Sequence, residues 1–129
     1  MERPMYLMDT NAVIDYLGNK LPAKGIDFMN GVMDGSPNIS VVTKIEVLGF
    51  PASDQHYETL FNFVNDVTVL DLTNNVVDLT IEIRKKYKTK LPDAIIAATA
   101  LANDLVLISR NITDFKKIDK LQVVDPHTM

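Results

Sequence analysis

Short apolar segments that run into polar residues, each set apart from the next by a helical stripe, restrict this chain more than any other feature. Met5-Tyr6-Leu7-Met8, Asn38-Ile39-Ser40-Val41-Val42, Val67-Thr68-Val69-Leu70, Leu105-Val106-Leu107-Ile108 and Leu121-Gln122-Val123-Val124 read as strands. Helical spacing fills the gaps between them. Val13, Tyr16 and Leu17 form one short stripe that stops at Gly18-Asn19. Pro22 and Gly25 then break the chain before a second stripe, Ile26 to Met33. Tyr57, Leu60, Phe61 and Val64 predict a third helix. Thr73 or Asn74 caps a longer one that buries Val76, Val77, Leu79, Thr80, Ile83 and Tyr87. Asp93 through Leu101 reads as a small-residue helix packed between other elements, with Pro92 in its first turn. Strands that alternate with helices imply an α/β sandwich on a mainly parallel central sheet. A length of 129 residues implies one domain, 1–129, with a sizeable core.

The chemistry is concentrated where strands end. Met8-Asp9-Thr10-Asn11 carries an apolar strand straight into an acid, the position where open α/β sheets place ligand sites. A charge there costs free energy unless it is paired or bound to a metal, although Asp9, Thr10 or Asn11 also suits a helix cap. Thr43 and Glu46 follow the second strand with capping-box spacing, which gives Glu46 a structural reading beside a functional one. Asp93 opens a helix, where the dipole favours a carboxylate and capping is again a sufficient reason for it. Ser109, Asn111 and Asp114 follow the fourth strand. In a parallel sheet the strand-end positions fall on one edge, so Asp9, Glu46, Asp93 and Asp114 can converge, with Asp93, which no strand directly precedes, brought in by the packing of its helix. Asp71 and Asp78 belong to no such motif and are expected to be exposed.

Carboxylates that share a cleft repel one another unless a cation is present. The chain has no cysteine and only two histidines. Its metal-binding chemistry is therefore that of hard oxygen ligands, which suits Mg²⁺ or Mn²⁺ better than Zn²⁺ and points to phosphodiester hydrolysis. His56 and His127 lie away from every acidic motif and read as ordinary surface or packing residues, the second near a loose C-terminus. The net charge of −4 argues against a protein that coats nucleic acid by bulk positive charge. It leaves room for a local basic patch. The dense run Arg84-Lys85-Lys86-Tyr87-Lys88-Thr89-Lys90 supplies one, either as a solvated helix end or as phosphate contacts. Lys116, Lys117 and Lys120 read as solvated. No apolar run spans a bilayer, Met1-Glu2-Arg3-Pro4 is a short polar lead-in, and the absence of cysteine suits a reducing cytoplasm.

Taken in order, Met8-Asp9-Thr10-Asn11, Thr43-Lys44-Ile45-Glu46, Leu91-Pro92-Asp93-Ala94-Ile95-Ile96-Ala97 and Ser109-Arg110-Asn111-Ile112-Thr113-Asp114-Phe115 resemble the successive motifs of a PIN domain. The set is most similar to the VapC-type toxin ribonucleases of bacterial toxin–antitoxin pairs. The resemblance covers nearly the whole chain and implies a PIN-like α/β/α sandwich. It further implies a metal-dependent ribonuclease with Asp9, Glu46 and Asp93 as core acids. The fourth position falls to Asn111 or Asp114, with Asp114 favoured as the supporting acid. Thr10, Asn11, Ser109 and Asn111 match polar positions that orient ligands, water or phosphate. The implied cofactor is Mg²⁺ or Mn²⁺, and the implied partners are RNA, a second copy of the chain and a cognate antitoxin. Arg84, Lys88, Lys90 and Arg110 are the candidate phosphate contacts. Two other readings compete: an RNA-binding protein whose site is degenerate at Asn111, and an aspartyl-phosphate phosphatase. The phosphatase needs an acid two residues after its nucleophile, and Asn11 stands there.

Overall fold

The structure is a computed structural model that describes residues 5–129; the lead-in Met1-Glu2-Arg3-Pro4 lies outside the described residues. In chain order the elements are β1 (Tyr6–Met8), α1 (Thr10–Leu17), α2 (Ala23–Asp34), β2 (Asn38–Ser40), α3 (Val41–Leu48), α4 (Asp54–Asn65), β3 (Thr68–Leu70), α5 (Asn74–Lys86), α6 (Leu91–Ala102), β4 (Val106–Ile108), α7 (Ile112–Lys116) and β5 (Val123–Val124), followed by a 3₁₀ turn at Pro126–Thr128. The five strands form one sheet in the order β3-β2-β1-β4-β5. All four pairings are parallel, which sharpens the expected mainly parallel sheet to a wholly parallel one.

Strands this short hold because both faces of the sheet are covered. Alternation along β1 and β4 sends Leu7 and Leu107 into one core with Val76, Ile83, Ile96 and Phe115, contributed by α5, α6 and α7. It sends Met8 and Ile108 into the other, with Val13, Met29, Ile39, Val47 and Leu60, contributed by α1 to α4 and β2. Leu7, Met8, Leu107 and Ile108 are fully buried, and each such side chain contributes roughly 2 kcal/mol. The result is an α/β/α sandwich. The small residues of α6 (Ala94, Ala97, Ala98, Ala100) are fully buried and let that helix lie close to the sheet.

Local details differ from the sequence reading where tertiary contacts overrule propensity. Val41-Val42 is helical, not strand: β2 stops at Ser40, whose hydroxyl accepts from the Thr43 amide and caps α3. Thr43 is therefore the third residue of the helix and not its cap. Gly25 does not break the chain but lies inside α2, for which Pro22 is the N-cap residue. In α4 the buried residues are Leu60, Phe63 and Val64, while Tyr57 and Phe61 are exposed and stack on each other with centroids 6.4 Å apart. In α5, Thr73 is the cap and Val76, Thr80 and Ile83 are buried; Val77 is exposed. Asp71 and Asp78 are exposed as expected.

The C-terminal turn is tied down, contrary to the expected loose end. Pro126 is buried, and its carbonyl oxygen lies so near Gly25 that a Cβ there would stand 2.2 Å from it. That contact yields a paired prediction on one helix. Gly25→Ala should destabilise by about 1–3 kcal/mol, because backbone meets backbone and neither yields cheaply. Gly31→Ala, where nothing lies within 4 Å, should stabilise by roughly 0.5–1 kcal/mol through helix propensity. Thermal melting of the two variants distinguishes them by sign, and a Gly25→Ala protein that melts at or above the parent temperature would refute the packing argument.

Candidate active site

The chain passes from β1 to β2 on one side of the sheet and returns to β4 on the other, so the order reverses between β1 and β4. In open parallel sheets ligands bind at the carboxyl ends of strands at such a switch point. Asp9 directly follows β1 and Ser109 directly follows β4, and the Asp9 amide donates to the Ile108 carbonyl at 2.9 Å.

Asp9 is buried and held by three donors. Its Oδ1 accepts from the Thr10 amide at 2.8 Å, which makes it the N-cap of α1. Its Oδ2 accepts from Ser109 Oγ at 2.7 Å and Asn11 Nδ2 at 3.0 Å. The capping and the functional readings of Asp9 therefore coexist in one side chain. Burial pushes its carboxyl up to about 6; hydrogen bonds from Ser109 and the Thr10 amide oppose this, and the charges of Asp93 and Glu46 add to it.

The supporting polar residues form a connected frame. Asn11 bridges Asp9 and the Arg110 amide, which donates to Asn11 Oδ1 at 3.1 Å. Ser109 Oγ also accepts from the Asn111 amide at 3.0 Å. Thr10 Oγ1 donates to Glu46 Oε1 at 2.6 Å and lies 3.1 Å from Thr43 Oγ1. A hydroxyl has one proton to give, so Thr43 donates to Thr10, and the Ser40 hydroxyl, 3.4 Å from Thr43 Oγ1, donates in turn to Thr43. This line of hydroxyls ends on Glu46 and fixes an otherwise exposed carboxylate on α3. Glu46 thus owes its orientation to Thr10 and not to a capping box.

Asp93 is the third residue of α6, whose N-cap Lys90 makes no side-chain cap. Partial burial raises the Asp93 carboxyl above its ordinary range, and the charges of Asp114 and Glu46 raise it further against a smaller lowering by Lys90. Asp114, on α7, is exposed and its Oδ2 accepts from Asn111 Nδ2 at 3.0 Å. Asn111 is thereby turned toward the fourth acid.

Two clefts meet at Asp93. One, of about 320 Å³, is lined by Asp9, Thr10, Asn11, Glu46, Phe50, Asp93, Arg110 and Asn111, among others. The other, of about 460 Å³, is lined by Arg84, Lys88, Thr89, Lys90, Asp93, Asp114 and Lys117. All four candidate acids and all four candidate phosphate contacts line one or the other. Arg84 Nη1 donates to the Thr89 carbonyl and Lys117 Nζ to the Lys88 carbonyl, both at 2.6 Å, so these two cations brace the loop that presents Lys88 and Lys90. Lys117 was read as merely solvated; no motif marked it, and only the approach of the segment after α7 to the loop after α5 reveals its place.

Sequence reasoning also missed Asp15, Asp125 and His127. Asp15 is a buried acid on α1 whose Oδ2 meets Arg110 Nη1 at 2.9 Å and His127 Nε2 at 2.8 Å, and His127 Nδ1 meets Asp125 Oδ1 at 2.9 Å. His127 is therefore neither remote from acids nor on a loose end. The contact joins residues 112 positions apart, which no spacing rule detects.

Among the described residues no three acids stand close enough to enclose a cation directly. The donor set nevertheless fits a hard divalent ion. Every available ligand is oxygen, neighbouring acids add to the raised carboxyls of Asp9 and Asp93, and Mg²⁺ characteristically takes only one or two carboxylates while keeping several waters.

A parallel five-stranded sandwich with acids gathered at the β1/β4 switch point is the arrangement of a PIN domain. Residues 6–121 match the PIN domain family, and the chain belongs to it. Among solved structures its likeness is to a toxin–antitoxin complex and, in fold, to chains of VapBC assemblies. It is similar to a chain of a toxin–antitoxin complex from Klebsiella pneumoniae, with 29% identity, a TM-score of 0.77, and coverage of 94% of this chain and 97% of that one. It is similar in fold to a chain of DNA-bound VapBC from Salmonella typhimurium, with 23% identity, a TM-score of 0.82, and coverage of 96% and 99%. VapBC-1 from nontypeable Haemophilus influenzae gives 23% identity, a TM-score of 0.79, and coverage of 95% and 98%. No curated protein sequence matches the chain. Among the described residues no helix is long and apolar enough to cross a membrane.

Proposed function

We propose that the protein is a metal-dependent endoribonuclease, the toxin of a toxin–antitoxin pair. The observation that carries this reading is the convergence of Asp9, Glu46, Asp93 and Asp114 on two joined clefts, the second of which is basic. Asp9, Glu46 and Asp93 are the residues that would hold Mg²⁺ or Mn²⁺, with Asp114 in support. A cation held there lowers the pKa of an attacking water and stabilises the charge that builds on the phosphate oxygens.

The chain's own part is binding and proton handling. Lys88 and Lys90 on one flank and Arg110 on the other hold phosphates of the RNA on either side of the acids. Ser109 and Asn11 fix Asp9, and Thr10 fixes Glu46, so that neither carboxylate must reorganise when the phosphate arrives. The water oxygen forms a bond to phosphorus, the bond from phosphorus to the leaving ribose oxygen breaks, the water's proton passes to a cleft carboxylate, and the leaving oxygen takes up a proton from solvent.

The similar Klebsiella structure is a toxin–antitoxin complex by name, which supports an antitoxin as partner. Exposed Ile45, Phe50, Tyr57 and Phe61 on and beside α3 and α4 supply apolar surface suited to a second copy of the chain. A reducing cytoplasm suits a nuclease of this composition.

The test is cleavage of a panel of structured RNAs by the purified protein in Mg²⁺, in Mn²⁺ and in chelator. Cleavage with either cation and none in chelator is the expected result. RNA bound equally well in chelator with no cleavage under any condition would replace the nuclease by the binding-only reading.

A further inference from the structure

Asp15 is a buried acid that lines the same cleft without being one of the four candidate acids, and it holds Arg110, which lines the cleft beside it. Arg110 is tethered at both ends. Its backbone amide donates to Asn11 Oδ1, and Asn11 in turn holds Asp9. Its Nη1 donates to Asp15 Oδ2, while 59% of the side chain remains exposed. Asp15 is 6% exposed and receives a second donor on the same oxygen, Nε2 of His127, whose Nδ1 faces Asp125. Both ring nitrogens of His127 thus face carboxylates. Asp15 Oδ2 is shared between the guanidinium and the imidazole, and the guanidinium keeps unused N–H donors on its open side.

We propose that Arg110 is the anchor for the RNA phosphate flanking the scissile one on the β4 side, and that the Asp15–His127–Asp125 chain is the device that positions it. The inference rests on the nuclease reading for the identity of its ligand. Arg110 lines the acid cleft, while the lysine cleft opens on the far side of Asp93. A strand of RNA crossing the acids meets Arg110 on one flank and Lys88 and Lys90 on the other. The protein as a whole is acidic, so RNA is drawn in by local cations placed in advance. A guanidinium already fixed in orientation loses less freedom on binding phosphate than a free one. Asp15 acts through Arg110 and is a positioning residue.

The experiment is a mutant cycle read by binding of a short fluorescent single-stranded RNA of mixed sequence in chelator, and by KM and kcat under cleaving conditions. Arg110→Ala should weaken binding about tenfold and reduce the slope of log affinity against log salt by about 1. Asp15→Asn should raise KM several-fold with kcat little changed, and should add nothing in the Arg110→Ala background. Melting is followed throughout, and Arg110→Lys serves as the variant that keeps the charge while losing the fork: it should keep the salt slope and recover only part of the affinity. Wild-type affinity in Arg110→Ala, or a further loss when Asp15→Asn is added to it, would overturn the proposal. RNA binding that depends on Arg110 in a protein that never cleaves would leave this inference standing and remove the nuclease reading instead.

Discussion

Asp93→Asn should abolish metal-dependent RNA cleavage while leaving the protein at least as stable as the parent in chelator. The substitution is nearly isosteric and removes one charge from a group whose ionised form is already disfavoured by partial burial and by Asp114 and Glu46. Removing like-charge repulsion does not destabilise the fold. The cleft, in contrast, loses a carboxylate from both cation binding and proton acceptance, and kcat/KM should fall by about 10²–10⁴. Cleavage time courses with Mg²⁺ and Mn²⁺, paired with melting curves in chelator, check both halves. Activity within a few-fold of wild type would remove Asp93 from the site. Asp9→Asn is a less clean probe. The two Asp9 oxygens accept from three donors, and an amide has only one oxygen to offer, so that variant confounds lost chemistry with a lost cap and a donor left facing a donor.

The second large effect is a stability that depends on pH and metal together. In the unfolded chain Asp9 ionises near the ordinary carboxylate value of 3.8; in the fold burial pushes it up to about 6. The folded-state value is raised, so the unfolded chain releases its proton first as pH increases. Folding loses stability between roughly pH 4 and pH 6, by about 3 kcal/mol from this group, and the loss is complete above that range. Asp93 shifts in the same direction and adds to it. In chelator the protein should therefore melt lower at pH 7.5 than at pH 5. A divalent cation reverses the penalty by binding the ionised acids, and at a hundredfold excess over its Kd it contributes about 2.7 kcal/mol. The rise in melting temperature on adding Mg²⁺ or Mn²⁺ should be several degrees at pH 7.5 and should shrink at pH 5, where Asp9 is protonated and competes with the metal. An equal rise at both pH values, or one that survives Asp93→Asn unchanged, would argue against these acids as the binding site.

The sheet and its acids were readable from the chain because their signals are local. Each strand is an apolar run, and each acid lies within a few residues of a strand end or helix start. What escaped was whatever depends on distant packing. Val41 and Val42 have strand propensity, but Ser40 caps a helix there because α3 must cover the sheet. In α4 the stripe through Tyr57, Leu60, Phe61 and Val64 shares Leu60 and Val64 with the face that is actually buried. Periodicity alone cannot choose between Phe61 and Phe63. The acids' orientations were equally hidden: Glu46 is aimed by Thr10, 36 positions away. Asp15 looked like one more polar residue on a short helix, since its partners Arg110 and His127 are 95 and 112 positions off. Motif order revealed which residues meet, but not which side chains hold them in place.

The bond between Ser109 and Asp9 closes a loop of 100 residues. Contacts so distant in sequence form only after the intervening chain has collapsed. During synthesis the first half of the protein emerges with Asp9 and Glu46 but without Asp93, Ser109 or the β4 strand that borders the switch point. Until that later segment leaves the ribosome, the acids have no common cleft and Asp9 has no hydroxyl to hold it. A cleft built this way exists only after the chain has been made at least as far as Ser109.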